Sequence, residues 1–152
     1  MNNIIKRHEQ TIYPCVRIRT DKAGGSGTVI YSEEDPKNPG EYLTFILTNW
    51  HVVDDAITIK QVWDSVLKKE VKRDFLQEVT VESFTYWKVS RVVSANAHRG
   101  EIVAYDRDHD LAVIRLLSPA KYPYVAKFIP EAAIEELTIG RQVANVGCSL
   151  LH

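Results

Sequence analysis

The feature that most constrains the fold of this chain is a run of short apolar stretches, each cut off by turn-forming residues before a helical period develops. Over residues 14–20 the sequence alternates as Val16-Arg17-Ile18-Arg19, which places Val16 and Ile18 on one face of an extended strand. The loop Asp21-Lys22-Ala23-Gly24-Gly25-Ser26-Gly27 then turns the chain into Thr28-Val29-Ile30-Tyr31. A polar segment, 32–41, holds Pro36, Pro39 and Gly40 and separates that strand from another at 42–48. Further strands are expected at 56–63, 79–84, 87–95, 101–105 and 111–117. Many short strands with little helical periodicity predict an all-β protein, an antiparallel barrel or sandwich.

Two stretches break this rhythm. Segment 64–77 is highly charged, with Lys68, Lys69, Glu70, Lys72, Arg73 and Asp74. It fits either a long hairpin or a short amphipathic helix. Segment 118–140 contains Pro119, Pro123 and Pro130, followed by Glu131-Ala132-Ala133-Ile134-Glu135-Glu136-Leu137. That composition predicts a linker ending in one or two helical turns. Beyond it, Gln142-Val143-Ala144-Asn145-Val146-Gly147 reads as a new strand.

Composition narrows the function classes. With 19 basic and 20 acidic side chains the formal charge is -1, which gives no general attraction to nucleic acid or to an anionic membrane. The start, Met1-Asn2-Asn3-Ile4-Ile5-Lys6-Arg7-His8, lacks the apolar stretch of a signal peptide. No apolar run has the length of a membrane span. The two cysteines, Cys15 and Cys148, make no disulfide framework and read as unpaired, partly buried thiols. A cytoplasmic protein is the expectation.

Two turns at strand ends carry chemistry. His51 follows an apolar strand, between Thr48-Asn49-Trp50 and Asp54-Asp55. An imidazole there can take a proton from a hydroxyl near neutral pH. Asp110 closes the run Asp106-Arg107-Asp108-His109-Asp110, directly before Leu111-Ala112-Val113-Ile114. A carboxylate at the mouth of a core strand needs hydrogen-bond donors. An imidazole N–H would serve, and would itself be oriented by the carboxylate. Asp106 and Asp108 read as a solvated turn.

Four blocks, taken in order, resemble the trypsin-like serine peptidases: Gly25-Ser26-Gly27-Thr28-Val29-Ile30, Ile46-Leu47-Thr48-Asn49-Trp50-His51-Val52-Val53, Asp110-Leu111-Ala112-Val113-Ile114-Arg115-Leu116 and Val143-Ala144-Asn145-Val146-Gly147. The likeness is greatest to the HtrA-like branch and covers about residues 12–147. It implies that His51 is the general base and Asp110 its orienting partner. It also implies two six-stranded antiparallel β-barrels with the active site between them. Residues 1–118 would then form the first barrel, 119–140 the interbarrel linker, and 141–152 the opening strand of the second barrel. The partners implied are a peptide or protein substrate and a C-terminal remainder of the peptidase carrying the serine.

The departures from that pattern are specific. The family nucleophile sits in a Gly-x-Ser-Gly-Gly setting whose backbone N–H groups form the oxyanion hole. After Asp110 the only serines are Ser118 and Ser149, and neither has that context. Ser26 lies among glycines but precedes His51, and its expected role is structural. Val52 stands where secreted digestive relatives carry a cysteine. The 152 residues are therefore expected to hold two members of a Ser-His-Asp triad and to be inactive alone. The alternative is a non-catalytic binding module, which would oligomerise or bind a partner through an unpaired strand edge.

Other patterns are weaker, and no cofactor or metal site is expected. Asp106-x-Asp108-x-Asp110 imitates the start of a calcium loop, but Leu111 stands where glycine is needed and Leu117 where glutamate is needed. His51, His98 and His109 lack zinc-like spacing. The Lys68-Lys69-x-x-Lys72-Arg73 cluster is offset by Glu70 and Asp74. Trp50, Trp63 and Trp87 read as core or rim packing.

Overall fold

A computed structural model describes residues 2–148. It contains eight strands: β1 (Cys15–Arg19), β2 (Gly24–Glu34), β3 (Tyr42–Thr48), β4 (Ile57–Asp64), β5 (Lys69–Leu76), β6 (Val79–Trp87), β7 (Arg91–Asp106) and β8 (Leu111–Leu116). Six of them close into an antiparallel barrel in the order β1-β2-β3-β8-β7-β6. The remaining two, β4 and β5, form a separate hairpin. The six-stranded barrel expected from the sequence is thus present, and 64–77 takes the hairpin alternative. Closure leaves the barrel no free edge.

Alternation explains the core. Val16 and Ile18, Val29, Ile46, Val79 and Val81, Ile102, and Ala112, Ile114 and Leu116 are buried and form one cluster. The outer face of β1 is charged instead. Arg17 and Arg19 reach the buried carboxylate of Glu82 on β6 at 3.3 and 2.6 Å, across the seam that closes the barrel.

The glycine-rich stretch belongs to β2 rather than to a loop, for a packing reason. A Cβ at Gly25 would stand 2.6 Å from Val52 Cγ2, and one at Gly27 would stand 2.8 Å from Ile46 Cγ2. Only a hydrogen atom fits inside the barrel wall there. The strand expected at 87–95 straddles the β6–β7 turn at 88–90, and from Arg91 it runs unbroken into the one expected at 101–105 as a single strand, β7. It pairs with β6 through Gly100 and with β8 from Gly100 onward. The polar run Asn96-Ala97-His98-Arg99 is therefore no interruption: it pairs throughout with β6, and the change of partner falls at Gly100.

Residues 118–148 cross the outside of the barrel. Tyr42 N–H donates to Pro119 O at 2.8 Å, and Ala126 N–H to Val29 O at 2.8 Å. Tyr122 N–H donates at 2.9 Å to Ser32 Oγ, which is also 2.8 Å from Thr44 Oγ1. The expected helical turns appear as a 3₁₀ segment, Glu131–Glu136. The opening strand expected over 141–152 is not formed in 141–148, and 149–152 lie outside the described residues. A strand needs a neighbouring edge, and the closed barrel has none to offer.

The N-terminal residues are helical although their sequence has no apolar period: α1 (Asn2–Arg7) continues into a π-helical turn, His8–Ile12. Tertiary contacts tie it to the β6–β7 turn. His8 Nε2 lies 3.1 Å from Ser90 Oγ, and Tyr13 Oη donates to Val89 O at 2.6 Å. Among the described residues no helix is long and apolar enough to cross a membrane.

Candidate active site

His51 is positioned by what surrounds it in the chain. At the end of β3, Asn49 is still extended (φ -93°, ψ 147°), and the four-residue helix α2 (Trp50–Val53) begins directly after it. Val52 and Val53 are buried, so α2 is anchored by its apolar side while His51 points outward. Gly25 provides the space that Val52 occupies. Beyond α2, a 3₁₀ turn, Asp54–Ala56, is held to the β1–β2 loop: Asp55 Oδ1 accepts from Thr20 Oγ1 at 2.7 Å.

Asp110 arrives from the β7–β8 turn. Asp106 organises that turn, accepting from the His109 backbone N–H at 3.1 Å and lying 2.7 Å from His109 Nδ1. The chain then passes through a left-handed residue, Asp110 (φ 54°), before β8 starts. Aspartate tolerates that conformation better than most side chains.

The two turns meet through the Asp110 carboxylate. Oδ1 accepts from the His51 backbone N–H at 2.8 Å, and Oδ2 lies 2.6 Å from His51 Nδ1. Asn49 Nδ2 closes the contact by donating to Asp110 O at 2.9 Å. The Arg107 guanidinium lies 5.2 Å from the centroid of the Trp50 ring, a cation–π contact that fastens the same two turns from the side. Asn49 and Arg107 carry no assignment in the sequence reading. Asn49 is signalled by its place two residues before His51; nothing local in the sequence marks Arg107.

Electrostatics follow from these bonds. The His51 backbone N–H, then the His51 ring, hold the Asp110 carboxyl below the usual aspartate range. An ionised carboxylate only accepts, so Nδ1 must carry the hydrogen. The neutral imidazole then presents its lone pair at Nε2. The His51 side chain is 65% exposed and Asp110 43%, and among the described residues no hydroxyl is hydrogen-bonded to Nε2.

The remaining candidates go elsewhere. Ser26 Oγ accepts from the Cys148 backbone N–H at 2.6 Å, a structural role. Ser118 Oγ lies 3.5 Å from Ala120 N, and Ser149 is outside the described residues. Among the described residues no three His, Cys, Asp or Glu side chains converge as a metal set. Asp106 and Asp110 spend their carboxylates on His109 and His51.

The trypsin-like peptidase domain family matches residues 25–150. The chain belongs to that family. No curated protein matches it. For a trypsin-like peptidase domain the arrangement is chemically apt: an oriented imidazole on one barrel, with its unshared lone pair facing solvent.

Proposed function

We propose that this chain supplies the general base, His51, and the orienting carboxylate, Asp110, of a Ser-His-Asp serine endopeptidase of the HtrA-like branch. The observation that carries the proposal is the double engagement of Asp110, one oxygen on the His51 backbone and the other on its ring. That grip sets both the position of the imidazole and its tautomer. Nε2 would take the proton of a serine hydroxyl as it attacks the peptide carbonyl. The imidazolium, stabilised by Asp110, would return that proton to the leaving amine, and water would release the acyl enzyme by the same route. The HtrA-like placement rests on the His51 block and on Asp110-Leu111-Ala112-Val113. No serine after Asp110 has the glycine setting of the nucleophile, so the serine is assigned to sequence outside these 152 residues. The 152-residue chain alone is expected to show no peptidase activity.

The test is labelling with a fluorophosphonate probe of a protein that joins this chain to the serine-bearing remainder of its gene product. Wild type should label, and His51→Ala should lose labelling while keeping its fold by circular dichroism. Undiminished labelling of a folded His51→Ala protein would remove His51 from the mechanism.

A further inference from the structure

Cys15 and Cys148 are 133 positions apart in sequence, yet their Sγ atoms are 3.5 Å apart. Cys15 is fixed: it sits on β1, paired with Thr28 of β2, and is 5% exposed. Cys148 is half-buried at the end of the irregular segment that crosses the barrel. Its backbone N–H donates to Ser26 Oγ at 2.6 Å, which pins the segment to β2. Both thiols are free.

We propose that Cys15 and Cys148 form a redox pair, in which Cys148 reacts with a peroxide and Cys15 resolves the product to an intramolecular disulfide. The chemistry divides between the two by environment. Cys148 is the more accessible sulfur. The Cys15 thiol beside it, and then the Arg17 guanidinium, hold Cys148 below the ordinary thiol range, at about 7. The same contact, together with burial, pushes Cys15 up. A thiolate-rich, accessible cysteine next to a resolving thiol is the arrangement that peroxide attacks selectively.

The steps balance. The Cys148 thiolate attacks one oxygen of hydrogen peroxide, the O–O bond breaks, and hydroxide leaves, giving a sulfenic acid. The Cys15 sulfur attacks the Cys148 sulfur, the S–O bond breaks, and the departing hydroxide takes the Cys15 proton. In sum, two thiols and one peroxide give one disulfide and two waters. Bridging needs the sulfurs to close to about 2.05 Å. Cys148 can supply that movement because its segment carries no ladder hydrogen bonds. The bridge would lock the crossing segment covalently onto β1.

The test is intact-mass analysis and non-reducing peptide mapping of the 152-residue chain before and after hydrogen peroxide. A loss of two hydrogens is expected, with trypsin releasing the 8–17 peptide joined to the peptide beginning at Gln142. Dithiothreitol should restore the starting mass. Cys15→Ser should stop at a dimedone-reactive sulfenic acid on Cys148. Cys148→Ser, which leaves β1 intact, should leave Cys15 unmodified. Oxygen adducts on wild-type Cys148 without a bridge, a bridge between two chains, or equal reactivity of Cys15 in Cys148→Ser would each overturn the proposal.

Discussion

At the scale of the residue, a single carboxylate joins two turns. Asp110→Asn keeps the shape but replaces an obligate acceptor with a group that also donates, so the ring is no longer held in one tautomer. In the serine-bearing protein this substitution should lower kcat by about 10⁴-fold, measured on a peptide ester with KM little changed. The same carboxylate carries a pH signature. Its folded pKa is depressed, so its contribution to stability is present above the unfolded value of about 3.9 and is lost as pH falls through the lower folded value. Urea titrations of wild type and Asp110→Asn should therefore differ at neutral pH and converge in acid; a gap independent of pH would contradict this linkage. Gly25 is the second sensitive position, because a methyl group there meets Val52. Gly25→Ala should cost about 1–3 kcal/mol, read from the urea midpoint. His51 and Asp110 were legible in sequence because each ends or begins an apolar strand in a recognisable block. Asn49 and Arg107 were not, since their partners, Asp110 O and the Trp50 ring, lie across space.

Elements divide into those that make the barrel and those appended to it. The β4–β5 hairpin pairs only with itself, and Ile59, Trp63, Val66 and Leu67 are exposed on it. One side-chain contact to the barrel is the hydrogen bond from Tyr105 Oη to Asp74 at 2.6 Å. Replacing residues 59–74 by a short Gly-Ser turn should leave near-UV circular dichroism intact and change stability by less than about 1 kcal/mol. A cooperative loss of structure would show instead that the hairpin is part of the folding unit. Strand rhythm was readable wherever inward positions alternate, as in β1. It failed where packing rather than pattern decides. Gly25 and Gly27 read as a loop until Val52 and Ile46 are seen against them, and α1 carries no apolar period of its own to announce it.

For the whole molecule, closure of β1 on β6 makes one cooperative core. Ile114, on β8, is fully buried beside Ile46 and Ile102, its register partners on the two neighbouring strands. Ile114→Ala should cost about 2–5 kcal/mol, and a single unfolding transition should shift as a unit. Two separate transitions would contradict a single core. The crossing segment was only partly legible: its prolines announced a linker, but its attachment to Ser32, Val29 and Ser26 depends on contacts far apart in sequence. The chemical device at the β3 and β8 ends of the barrel is an imidazole whose proton is directed by a carboxylate. Nitrogen-15 NMR of the histidine rings in alkaline buffer tests that device directly. For His51 a single tautomer is expected, with hydrogen on Nδ1 and a bare Nε2, and that preference should be lost in Asp110→Asn. Hydrogen on Nε2 in the wild type, or a tautomer mixture unaffected by Asp110→Asn, would contradict it.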